Sequence, residues 1–221
     1  MLRNHLLAPI PELFEAAELL HQAALAHKCG DHTSAKALIR KSDMPVIFDW
    51  SESLFGGNRL SGGKQIAADI KNSIFKYTDD PEKPASVTSD QRASGTIVKQ
   101  IATEVVNRDG YFCRFCGVPV IEQKAQLLFR KAYPDALRWG PRNVDKHATF
   151  QALDLDLDHI LARSLGGENT LDNLVVTCAP CNCGRGSHTL FEMGLADPRL
   201  RSPIVPTGFE TWDGLTLLLK R

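Results

Sequence analysis

Apolar residues recur at helical spacing from Pro11 to Lys28. Leu13, Ala16, Ala17, Leu20, Ala24 and Leu25 share one side there, and Pro11 suits a first-turn position. A second helix is expected from near Asp31-His32-Thr33-Ser34 to Lys41, with Pro45 ending any continuation. Met44 to Trp50 is β-rich in type. Thr78 to Gln91 is full of Asp, Pro, Ser and Lys and nearly empty of apolar residues, so it reads as a linker and the best domain boundary. A helix from about Ser94 to Arg108 follows, with Ile97, Val98, Ile101 and Val105 on one side and Asp109-Gly110 stopping it. The period then changes. Leu153 to Leu157 alternates Leu with Asp, the mark of a half-buried strand; Leu174 to Thr177 is its partner, and Cys178 to about Met193 a helix. Beyond Asp197 the chain carries Pro198, Arg199, Arg201, Pro203 and Pro206, closes with Trp212 to Leu219, and is expected to pack back on what precedes it.

Composition narrows the picture without naming a partner. At 221 residues the chain can bury one good core, or a medium domain and a smaller one. Lys plus Arg number 26 and Asp plus Glu number 26, so no global basic field announces nucleic acid, and any such surface must be local. Lys124, Arg130, Lys131, Arg138, Arg142 and Lys146, opposed by Asp135 and Asp145, form one candidate stretch, which a solvated helix face explains equally well. No apolar run is long enough to span a membrane, and Pro9, Pro11 and Glu12 spoil the opening as a signal peptide; the expected location is the cytoplasm. In that reducing compartment paired Cys-x-x-Cys motifs read as metal ligands more readily than as disulfides. Phe55 to Lys64, with Gly56, Gly57, Gly62 and Gly63, matches a phosphate-cradling loop only loosely: Asn58 and Gln65 stand where that motif needs Gly and Ser or Thr.

Two knuckles, Cys113-Arg114-Phe115-Cys116 and Cys178-Ala179-Pro180-Cys181, lie about sixty residues apart and suit one closed tetrahedral zinc site. Cys29 and Cys183 are left over. Between the knuckles stands Asp156-Leu157-Asp158-His159-Ile160, then a Gly166-Gly167 loop, Asn173 and, after Cys181, Asn182. Phosphodiester hydrolysis needs a base for water and charge neutralisation at phosphorus. His159 suits general base, because imidazole accepts a proton near neutral pH. Asp158 and Asn182 suit an incomplete hard-oxygen shell for Mg²⁺ or Mn²⁺. Arg185, three residues after Asn182, is placed to clamp phosphate, and His188 falls further round that helix as a structural or peripheral residue. Asp154 and Asp156 share the strand face of Asp158 and are expected in solvent, with support of the metal by Asp156 as the lesser alternative. His147, Trp50, Trp139 and Trp212 carry no clear signal, so packing is the default for them.

The joint order Cys-x-x-Cys, Asp-His-Ile, Gly-Gly, Asn, Cys-x-x-Cys-Asn-x-x-Arg-Gly resembles the HNH endonucleases, the ββα-metal nucleases, in their four-cysteine subgroup. The resemblance spans Thr96 to Leu195, less an insertion from Val118 to Gln151. It implies an α+β fold: a ββα-metal nuclease domain with a structural four-cysteine zinc site over residues 91–221, preceded by a mainly helical region over residues 1–90 of unknown role. It implies DNA as substrate, and Asn173 as the middle motif residue that closes the loop by hydrogen bonds. One such site should nick a duplex. A double-strand break would call for two sites, most simply in a homodimer, and neutral charge is compatible with recruitment by a partner protein in a defence or mobile-element system. The competing expectation is a non-catalytic zinc-stabilised nucleic-acid-binding module, which would have no use for Asp158, His159 and Asn182 together.

Overall fold

A computed structural model describes residues 2–55, 78–92 and 96–220; the glycine-rich stretch from Gly56 to Lys64 lies outside them. Helix α1, Pro11–Lys28, starts on the proline, carries Glu12 in its first turn and His27 and Lys28 in its last, and so complements its own dipole at both ends. Leu13, Ala16, Ala17, Leu20 and Ala24 are buried as their spacing requires, whereas Leu25 is 48 % exposed. Helix α2, His32–Lys41, is capped by Asp31, which accepts from Ser34 N at 2.9 Å. Gly30, at φ +81°, turns the chain between the two helices.

Met44 to Trp50 is not a strand. It lies mostly in helix α3, Pro45–Phe55, because Pro45 opens a helix as readily as it closes one, and Ile47, Trp50, Ser51 and Leu54 recur at i, i+3, i+4 and i+7, all buried. Residues 78–92 run across the C-terminal half: Thr78 N donates to Glu192 O at 3.0 Å and Val87 N to Ser164 O at 2.9 Å. Helix α4, Lys99–Asp109, stops at Gly110, whose φ is +67°. The stretch expected as an insertion holds helices α5, Gln123–Ala132, and α6, Ala148–Ala152.

The ββα unit follows. Strand β1, Leu155–His159, pairs antiparallel with β2, Leu174–Cys178, in a register that sets Leu155 opposite Cys178 and His159 opposite Leu174. β1 begins two residues after the alternation does, because Leu153 serves as the C-cap of α6. Helix α7 is short, Ala179–Arg185, and Gly186 at φ +57° ends it well before Met193.

One hydrophobic core runs through all of this. Leu13, Leu20 and Leu54 belong to the same cluster as Val105, Phe115, Val176 and Leu218, so the N-terminal helices pack on the ββα unit across the expected boundary. Gly184 of α7 lies against Leu54 of α3, where an added Cβ would meet Leu54 Cδ2 at 3.1 Å and Leu54 O at 3.2 Å. The C-terminal segment packs back as expected: Trp212 Nε1 donates to Val120 O at 2.9 Å. Among the described residues no helix is long and apolar enough to cross a membrane.

Candidate active site and metal centre

The two knuckles meet. Cys113, Cys116, Cys178 and Cys181 are buried, and their sulfurs all lie within 4.8 Å of one another. Cys116 Sγ and Cys178 Sγ are 3.8 Å apart, too far for a disulfide and equal to the edge of a tetrahedron whose Zn–S bonds are about 2.3 Å. The donor set therefore fits zinc. Burial first, then the neighbouring sulfurs, pushes the Cys178 thiol well up; for Cys181 the neighbouring sulfurs come first. Burial opposes ionisation of Cys113 as well, but the hydrogen bonds from Cys116, Cys178 and Cys181 bring that thiol well below its ordinary value. Four such groups ionise together only around a cation. Cys178 is also the N-cap of α7 and Pro180 sits in its first turn, so the cluster fixes where α7 begins and hence where Asn182 and Arg185 stand.

Beside the cluster, β1 presents its polar side chains to α7. Arg185 Nε donates to Asp158 Oδ2 at 2.6 Å and its Nη2 to Asp158 Oδ1 at 2.5 Å, a two-armed pair between side chains 1 % and 5 % exposed. The same guanidinium donates to the carbonyls of His159, Ile160 and His188. One helical turn earlier, Asn182 Nδ2 stands 3.1 Å from Asp156 Oδ2. Asp156 is half-buried and lines a cleft of about 600 Å³ together with Lys99, Tyr111 and Lys124.

The loop after β1 is closed by Asn173. Its Oδ1 accepts from Leu161 N at 2.8 Å, and its Nδ2 donates to the carbonyls of Leu161 and Glu168 at 3.1 and 2.9 Å. Gly167 permits this closure, since a Cβ there would lie 1.7 Å from Leu161 O. His159, half-buried at the end of β1, has Nε2 2.7 Å from Asn169 Oδ1, and Asn169 Nδ2 donates to Thr96 O at 3.3 Å. That second bond orients the amide oxygen toward the ring, so Nε2 carries the proton and Nδ1 is the basic nitrogen.

Residues 146–193 match the family model described as HNH endonuclease. This segment is an HNH endonuclease domain. No curated protein and no solved structure matches the chain. The family match supports a nuclease-type function in general and implies a nucleic-acid substrate, and the buried cysteine cluster within the α+β architecture is consistent with its four-cysteine form.

Within the HNH domain three expected placements change. Arg185, expected to clamp phosphate, is buried, and Asp158 and three carbonyls occupy its nitrogens. Asp158 does not stand beside Asn182, since α7 runs antiparallel to β2 and brings residue 182 level with Asp156 and residue 185 level with Asp158. Burial pushes the Asp158 carboxyl up, against the pull of Arg185. Asp156, expected in solvent, is the carboxylate that faces both Asn182 and the cleft. His188 lies beyond the end of α7, with Nδ1 3.6 Å from Glu192.

Asn169 escapes sequence reasoning. Its one signal is a polar amide shortly after the Gly-Gly turn, in the loop that returns to the strand end. Asp109, read as a helix stop, does more: it is 1 % exposed, pairs with Arg108 at 2.8 Å and accepts from Val176 N at 2.9 Å, tying α4 to β2.

Proposed function

We propose that this protein is a metal-dependent endonuclease that hydrolyses phosphodiester bonds of DNA, with His159 as general base. The observation that carries the reading is the His159–Asn169–Thr96 chain, which holds one imidazole in one tautomer at the strand end of an HNH domain. The hydrogen-bonded Nε2–H orients the ring, and Nδ1 takes the proton from the attacking water. Arg185 supports the same end of β1 by donating to the His159 carbonyl and holding the Asp158 carboxylate. Asn173 keeps the loop shut around them.

Asn182 and Asp156 are the proposed holders of a divalent cation. A carboxylate and an amide side by side, with the carboxylate on the wall of a cleft, form a hard-oxygen set that suits Mg²⁺ or Mn²⁺ once the amide turns its oxygen inward. When bound, such an ion neutralises charge on the phosphate and helps the departing sugar oxygen. Asp158 joins that set only if Arg185 releases it. Lys99 and Lys124 on the cleft place positive charge where a DNA backbone approaches Asp156.

The test compares purified Asp156→Asn, Asp158→Asn and Asn182→Ala with wild type on supercoiled plasmid in Mg²⁺. Asp156→Asn and Asn182→Ala should keep their zinc and lose cleavage. Full cleavage by both would overturn the ligand assignment, and absence of Mg²⁺-dependent cleavage by wild type would overturn the proposed function.

A further inference from the structure

Four guanidinium groups line one cleft of about 670 Å³ on the zinc-knuckle side of the molecule. Arg108 comes from the last turn of α4, Arg114 from between the cysteines of the first knuckle, and Arg199 and Arg201 from the C-terminal segment, with Asp172 and Ser202 also on the wall. Their acidic partners are spent. Asp109 takes Arg108 at 2.8 Å and Arg114 at 3.5 Å, and Asp197 takes Arg199 at 2.6 Å. Arg114 is 4 % exposed, and its Nε, together with Nε and Nη1 of Arg201, is buried with no hydrogen-bond partner among the described residues.

Buried guanidinium N–H groups are rarely left without an acceptor, and like charges this close call for an anion between them. The cleft also has a fixed relation to the hairpin. Arg108 donates to the carbonyls of Leu171 and Leu174 at 2.7 and 2.6 Å, and Arg199 to Asp172 O at 3.0 Å. Leu174 is the register partner of His159, and Asn173 closes the loop that carries Asn169. We propose that this arginine cleft is a second phosphate site, taking a backbone phosphodiester of the nucleic acid away from the bond that is cut. The proposal rests on the nuclease reading for its ligand. The planar forks suit the tetrahedral oxygens of phosphate, and the Leu174 carbonyl that Arg108 holds belongs to the register partner of His159, so the cleft and the end of β1 share one turn of the hairpin.

The test is equilibrium binding of a short DNA duplex, followed by anisotropy over a salt series, in a His159→Ala background that does not cut. Arg199→Gln should weaken binding about tenfold and lower the slope of log affinity against log salt by about 0.9, the value for one phosphate contact. Ser202→Glu adds a carboxylate at an exposed wall position without removing an arginine, and should weaken binding in the same way. A poly-glutamate peptide that displaces the duplex at equal charge would mark a carboxylate site and overturn the proposal. So would parent-like affinity and slope in both variants with folding and zinc content intact. If both variants lose duplex binding while the wild-type chain never cuts, the phosphate site stands and the nuclease reading falls.

Discussion

Removing the guanidinium of Arg185 tests how β1 and α7 are held together. Arg185→Met keeps most of the aliphatic stem but strands the Asp158 carboxylate, 4 % exposed, without its two donors. Breaking a buried pair from one side costs about 3–5 kcal/mol, and the released carbonyls of Ile160 and His188 add to it. Against a total stability of about 5–15 kcal/mol, that should shift a urea midpoint by about 1–2 M at neutral pH. The pH dependence gives the sharper signature. Burial, opposed by Arg185, raises the folded-state pKa of Asp158 above 3.8, so the folded chain holds this proton more tightly than the unfolded chain, and stability from this group grows as pH falls. With Arg185 gone the opposition disappears and the rise is larger. The deficit of Arg185→Met should therefore shrink as pH falls below neutral, and Asp158→Leu on top of it should restore much of the loss. The assay is urea denaturation of zinc-loaded protein at several pH values. A loss under about 1 kcal/mol with an unchanged pH slope would refute the buried pair and return Asp158 to the metal ligands.

Cys116→Ser or Cys178→Ser should lose zinc and unfold the HNH domain, because binding energy is folding energy in such sites; elemental analysis of well-folded wild type giving less than one zinc per chain would contradict this. His147 is buried as the N-cap of α6, and its burial lowers its pKa from 6.5 to about 4, so it folds neutral. Its stabilising contribution is complete above 6.5 and is lost as pH falls toward about 4, a change on the order of 3 kcal/mol that His147→Gln should remove from the stability profile. One His159 site per chain should nick supercoiled plasmid before linear product forms; direct linearisation by a strictly monomeric species in solution would show that counting to be wrong.

Local chemistry is the legible part of the sequence. Pro11 and Asp31 mark helix starts because each satisfies a terminus by itself, and the period-two run ending at Leu157 gives β1 to within two residues. The cysteine knuckles are readable because a chelate demands fixed spacing. Pairings across elements are not. Whether Asn182 meets Asp156 or Asp158 depends on how far α7 is set back along β1, which follows from Cys178 and Pro180 at its start and from Leu54 against Gly184, residues distant in sequence from the strand. The partner of His159 is hidden for the same reason: Asn169 reaches it only because Asn173 and Gly167 fold the loop back. Residues 45–55 mislead because Val46, Ile47, Phe48 and Trp50 are strand formers by type, while their buried positions follow the helical period.

The most direct test is His159→Ala on supercoiled plasmid, with wild type and variant matched for zinc content and for thermal unfolding, each assayed in Mg²⁺ and again with the ion withheld. Wild type should cut only with the ion, and the variant should cut about 10²–10⁴-fold more slowly with zinc and folding unchanged. Cleavage by a verified His159→Ala protein at the wild-type rate would contradict the account.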